Sequence, residues 1–224
     1  MSKFLIIFTN QIKIQYHHPR SFFGNILFFI CFVIVFLIVL SPLQSGFGEL
    51  FGRNNSQTLL ISASFFSILT CLLTSTQNLF REDFDDGTLE QMIINCENLE
   101  IYIFAKMLAN WLNICFIAVI FSTIMGALLG YKQDFLWQFF IIFLLTSLLI
   151  NCICFLCGSL AILGGVSSII AFIALPLILP IILFGSLGIY ENFNFNFKIL
   201  FALNIFLNPL ICFASALITK IALD

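Results

Sequence analysis

Charge is what this sequence lacks most. Only 9% of its 224 residues are charged, while 61% are hydrophobic, and the mean hydropathy is +1.12. A soluble domain carries about 25% charged residues, so this chain could not clothe a water-facing surface, and a disordered chain would be more polar still. Lys and Arg number 9 against 11 Asp and Glu, which leaves no basic footprint for nucleic acid. No glycine is followed by lysine, so there is no phosphate-cradling loop. No Ser/His/Asp arrangement and no paired metal motif is present either. The chain reads as neither an ATPase nor a hydrolase, and it has no catalytic residues to propose.

What is present is apolar sequence in long runs. A helical span needs about 20 mostly apolar residues to cross a hydrocarbon core of about 30 Å. Six stretches qualify: Phe22–Leu43, Gln57–Leu79, Phe104–Leu129, Phe135–Leu163, Val166–Leu187 and Ile199–Thr219. Between Phe135 and Tyr190 there is no Asp, Glu, Lys, Arg or His, and the Gly164–Gly165 pair offers a turn between two spans. The strict alternation of a membrane β-barrel strand is missing. The expectation is an all-α bundle of six transmembrane helices forming a single domain over residues 1–224.

Lys3, Lys13, Arg20, Arg81, Lys106 and Lys220 fall on one side of such a bundle, and Arg53, Lys132 and Lys198 on the other. Positive residues favour the cytoplasmic side, so both termini are expected there. Phe4, Leu5, Phe8, Ile12 and Tyr16 recur at helical spacing within residues 1–20. They predict an amphipathic helix on the membrane surface, broken by Pro19.

Eight cysteines invite a metal reading, but a helix sets Cys152 and Cys154 about 200° apart, and no His or carboxylate lies near. They read as small apolar packing residues. His17 and His18 read as solvated, and the 30 phenylalanines as packing and lipid-facing surface. Ion-coupled transporters keep ionisable groups within their spans. Here only Lys106 lies in one, near a helix end from which it can snorkel. The energy source is therefore expected to lie outside the bilayer.

Seven of the 11 acids lie between spans two and three, from Glu82 to Glu100. Thr88 and Gln91 have capping-box spacing, and acids such as Glu90 in the first turn favour the helix dipole. Leu89, Met92 and Ile93 form an apolar stripe at i, i+3, i+4. Together they predict a short amphipathic helix within a cytoplasmic segment, residues 80–100, with a face for a partner.

The run Leu79–Met92 resembles the corresponding loop of the cytochrome c maturation protein B (haem exporter protein B) family. Ala105-Lys106-Met107 with Ala109 and Trp111 is similar to the start of that family's third span. Leu175–Phe184, with Pro176 and Pro180, resembles its double-proline fifth span, and Asn208-Pro209 with Ala214, Ser215 and Ala216 the end of its sixth. Two positions depart from the pattern. Leu160–Leu163 stand where basic residues are frequent, and Asn110 where His is common.

The resemblance implies a permease-type subunit of an ABC complex, with the layout of type 2 ABC exporters. ATP would sit on a CcmA-like ATPase, with CcmC- and CcmD-like membrane subunits and, indirectly, the haem chaperone CcmE as partners. Haem would be the transported substrate, with no covalently held cofactor and no metal. The setting would be the bacterial inner membrane or its mitochondrial equivalent. Carried onto this chain, Phe80, Leu89 and Met92 would fill a groove on the ATPase. Arg81, Glu82, Asp83 and Asp86 would pair with its charges, Gly87 would permit the turn, and Thr88, Glu90 and Gln91 would open the docking helix. Pro176 and Pro180 would make a deformable span. A permease for a drug or lipid, or a scaffold needing no energy, are the competing readings.

Overall fold

The computed structural model describes residues 3–17, 24–35, 38, 55–87, 89, 99–164, 167–190 and 193–223. Seven helices account for nearly all of them, and there is no strand among the described residues. Helix α1 is Lys3–His17, α2 Gly24–Val35 and α3 Asn55–Asp85. Helix α4, Leu99–Leu128, contains a π-helical segment, Trp111–Phe116. Helices α5, α6 and α7 are Gln133–Gly164, Ser167–Tyr190 and Phe193–Leu223.

Stretches within α3, α4, α5 and α7 are long and apolar enough to cross a membrane, whereas Gly24–Val35 and Ala174–Ile189 are shorter apolar helices. Six spans were expected. Four correspond to these candidate spans, the fifth only to the shorter helix Ala174–Ile189, and part of the first expected span and the Gly165 turn lie outside the described residues. Pro19 and His18 lie outside them too.

Helix α5 is the hub, packed against α3, α4, α6 and α7. Its most apolar window is 67% buried, against 33% for that of α7. The absence of charge along α5 from Phe135 onward follows from this position, since an unpaired charge there would have neither water nor lipid headgroups to meet it. Close approach is secured by small residues and aromatic pairs. Gly185 of α6 lies where a Cβ would come within 2.8 Å of the Thr146 Oγ1 of α5, as expected where helices pack in lipid without a hydrophobic drive. The rings of Phe65 and Phe143 meet edge to face at 5.2 Å.

Helix α6 runs without interruption through Pro176 and Pro180, both exposed. Each withholds an N–H from the carbonyl one turn earlier. The α4–α5 turn closes as a Schellman motif: the Gly130 N–H donates to the Ala127 carbonyl, and the Tyr131 N–H to that of Gly126. Gly130 sits at φ +77°, where a side chain would be strained.

Helix α1 forms as expected but is turned differently. Gln11 is buried and Leu5 is 41% exposed. Phe4 packs on Phe104 of α4 at 5.9 Å between ring centroids, and Ile7 joins a cluster around Leu89 and Tyr102. Protein, rather than lipid alone, therefore covers one face of α1, which explains why a polar Gln shares the buried side.

Candidate functional site

The motif-bearing end of the bundle is built from the last turns of α3 and the first of α4. Helix α3 does not stop at the expected membrane boundary. It continues to Asp85, so Phe80–Asp85 is a helical extension of the second span rather than part of a loop. The extension ends in a turn, with the Gly87 N–H donating to the Phe84 carbonyl at 3.2 Å. Gly87 has φ +67°, the left-handed conformation that glycine tolerates and other residues resist. The turn expected of Gly87 is therefore present.

Phe80, expected in a partner's groove, is instead 2% exposed. Its ring stands edge to face with Phe155 of α5 at 5.2 Å and lies over Gly158, where a Cβ would meet Phe80 Cδ2 at 2.7 Å. Leu89 is likewise 1% exposed, packed in the cluster with Tyr102, Ile103, Cys212 and Ala216. Both anchors are taken up by this chain's own core, because three helices converge there and offer more apolar area than an exposed face could keep dry. The exposed aromatic at this end is Phe84, at 43%, with Asp86 exposed beside the turn.

Asp83 was expected to meet a partner's charge and Lys106 to snorkel. They pair with each other instead, Lys106 Nζ donating to Asp83 Oδ2. The side chain of Lys106 is 3% exposed and that of Asp83 21%. Tyr102 Oη donates to the same carboxylate oxygen at 3.2 Å, and Lys106 Nζ lies 5.8 Å from the centre of the Phe80 ring, within cation–π range. Removing two charges from water is repaid only where geometry is good and further hydrogen bonds are made. The tyrosine and the ring supply that support.

One turn along α4 from Lys106, a second polar cluster crosses three helices. Ser75 Oγ of α3 donates to Asn110 Oδ1 of α4 at 3.1 Å. Asn110 Nδ2 donates to Asn151 Oδ1 of α5 at 2.9 Å, and Asn151 Nδ2 to the Met107 carbonyl at 3.1 Å. All three side chains are buried. Asn110, one of the two departures from the family pattern, thus ties α3, α4 and α5 together. The π segment begins at the next residue, and Trp111 Nε1 donates to Ser147 Oγ of α5 at 3.2 Å. Short π segments recur at functional sites because they are locally deformable.

The placement of the remaining expected residues is simple. The backbone of Arg81 and Glu82 lies in α3. Thr88, Glu90, Gln91 and Met92 lie outside the described residues, and with them the expected capping box and stripe. Among the described residues no group of three or more His, Cys, Asp or Glu could hold a metal. Sequence reasoning missed the Asp83–Lys106 pair and the Ser75–Asn110–Asn151 chain. The available signal was polarity out of place: a lysine and two asparagines inside otherwise apolar spans.

The chain is 26% identical over 229 residues to a "Heme exporter protein B" of Haemophilus influenzae, covering 99% of both chains. It is 25% identical over 194 residues to a protein of the same name from Pseudomonas aeruginosa, covering 82% of this chain and 78% of that one. A match to the Escherichia coli K12 protein of that name spans 47% of this chain at 25% identity. The profile of the family described as CcmB protein matches residues 2–222, nearly end to end, and the chain belongs to the CcmB family.

Proposed function

We propose that this chain is the membrane subunit of an ABC complex for cytochrome c biogenesis, in which haem is the cargo handled and a separate CcmA-like ATPase supplies the energy. The observation that carries this reading is the family match over residues 2–222, to which relatives named heme exporter protein B add the cargo. The chain sits with six spans in the bacterial inner membrane, both termini cytoplasmic, alongside CcmC- and CcmD-like subunits.

The geometry supports a mechanical route. Phe84, Asp86 and the Gly87 turn form the contact with the ATPase, together with Thr88, Glu90, Gln91 and Met92 beyond it. Phe80, Asp83 and Leu89 do not touch the partner. They make the extension of α3 rigid, so that a push at the turn is delivered through the Asp83–Lys106 pair to α4 and through Asn110 to α5. Pro176 and Pro180 ease bending of α6 as the bundle rearranges.

Haem carries two propionates, and passing them through an apolar interior would leave buried charge unpaired. Lys106 is the buried Lys or Arg among the described residues, and its charge is met by Asp83. This favours the release of haem-loaded chaperone over passage of haem through the bundle itself.

Two measurements test the reading. Phe84→Asp lowers recovery of the ATPase in co-purification from native membranes while the chain remains inserted; undiminished recovery would refute the docking role. Vesicles holding only this subunit and its ATPase accumulate no haem with ATP; accumulation would overturn the mechanical route.

A further inference from the structure

The two halves of α4 are fastened in different ways. Up to Trp111 the helix is bolted to its neighbours by polar bonds. Lys106 and Asn110 meet Asp83 and Ser75 of α3, and Asn110 and Trp111 meet Asn151 and Ser147 of α5. Past the π segment the seam is made of small residues: Ala118, Ser122 and Gly126, buried at i, i+4 and i+8. A Cβ on Gly126 would meet Leu136 Cδ2 of α5 at 2.7 Å and Leu60 Cδ2 of α3 at 3.0 Å. Thr123 Oγ1 returns to the Val119 carbonyl of its own helix, and the buried Ser122 Oγ has no hydrogen-bond partner among the described residues. Beside Thr123 a hollow of about 550 Å³ opens between α4, α5 and α7.

Bonds from i to i+5 take one more residue into the turn than bonds from i to i+4. That surplus residue decides which side chains form the seam. Rewinding 111–116 into regular α-helix would move each later residue into the place its successor holds now. Ile117, Phe121 and Met125 would then stand where Ala118, Ser122 and Gly126 stand. Large side chains would replace small ones at a contact with no room for a methyl group, so the helices would have to part. We propose, resting on the ATPase-driven reading above, that α4 has two windings and that the π segment is the slip joint between them. In the present winding the small seam closes the Gly130 end of the bundle. In the other, the large seam wedges the outer half of α4 away from α3 and α5, while the bolted half stays with the α3 extension. The same turn carries Ser122 to the present place of Thr123, beside the hollow, which relieves the cost of a stranded buried hydroxyl.

The test is disulfide trapping in the full-length chain, in native membranes with its ATPase. In Met125→Cys/Leu136→Cys the two thiols face each other only after rewinding. A non-hydrolysable ATP analogue should raise their bridging by about tenfold, within the usual range of coupling between sites. Deletion of Leu112 removes the surplus residue and leaves the small seam in place. That variant should melt no lower than wild type and keep its ATPase, yet bridge no faster with nucleotide and lose cytochrome c maturation. Bridging indifferent to nucleotide while the ATPase co-purifies would overturn the slip joint. So would a deletion variant that matures cytochrome c like wild type, or one that melts well below it. Absence of any ATPase from wild-type preparations would count against the proposed function instead. The slow bridging of the resting chain then decides: deletion of Leu112 should abolish it, and equal rates would overturn the proposal.

Discussion

The two ends of this bundle solve opposite problems. At the Phe80–Gly87 end, aromatic side chains turn inward, a lysine and an aspartate neutralise each other, and amide groups tie α3, α4 and α5 together. At the Gly130 end the aromatic Trp137 faces outward, the charged residues are exposed, and space is left between the helices. Under the proposed coupling role the Phe80–Gly87 end must be stiff, because a loosely packed lever loses the movement in side-chain rearrangement. A region that meets the lipid headgroups can remain open. The contrast shows that polar residues in an apolar chain have different uses: sequestered in pairs they fasten helices, and exposed at a rim they meet the surroundings.

Substitutions should break the stiff end and leave the open end intact. The largest effect is expected of Lys106→Met, which leaves the Asp83 carboxylate without its cation. Stranding one member of a buried pair costs about 3–5 kcal/mol, and the partial exposure of Asp83 moderates the figure. The double variant Asp83→Asn/Lys106→Met should recover much of the loss, and thermal unfolding of the four members of the cycle in detergent measures the coupling. Equal melting temperatures across the cycle would show that the pair contributes nothing to rigidity.

Next comes Gly158→Val, whose side chain claims the space of the Phe80 ring. Overpacking of this kind costs about 1–3 kcal/mol, read from the same melts. Asn151→Leu removes the acceptor of Asn110 Nδ2 and the donor to Met107, with a cost of about 1–3 kcal/mol for the groups left unsatisfied. Gly87→Ala should cost about 1 kcal/mol through its φ alone, since nothing lies within 4 Å of a Cβ there. The smallest effect belongs to the open end: Trp137→Leu should shift stability by no more than about 0.5 kcal/mol. A larger loss there than at Gly158 would erase the distinction between the two ends.

Much of this was legible from residue order alone. The charge-free run of α5 announced an interior helix, and Gly87 after the acidic turn announced a chain reversal. Helical periodicity tells which residues share a face but not which faces meet. That is why Phe80 and Leu89, apolar and beside charges, read as anchors for a partner although α5 and α7 lie close enough to bury them. It is also why Lys106 read as snorkelling: its counter-ion sits 23 residues earlier, on a helix that was expected to end before reaching it. The π segment left no trace in the pattern, because its cause is the set of contacts around Asn110 and Trp111 rather than their spacing.

That segment has one more consequence. A π turn holds an additional residue within a helix, so the two halves of α4 are offset from the phase an ideal α-helix would give them. Winding residues 111–116 as regular α-helix with none removed would swing one half about its axis by about 100°. Either Lys106 would lose sight of Asp83, or Thr123 would turn away from α5. The extra residue acts as a gearing tooth, keeping both extremities of one rod in mesh with different neighbours.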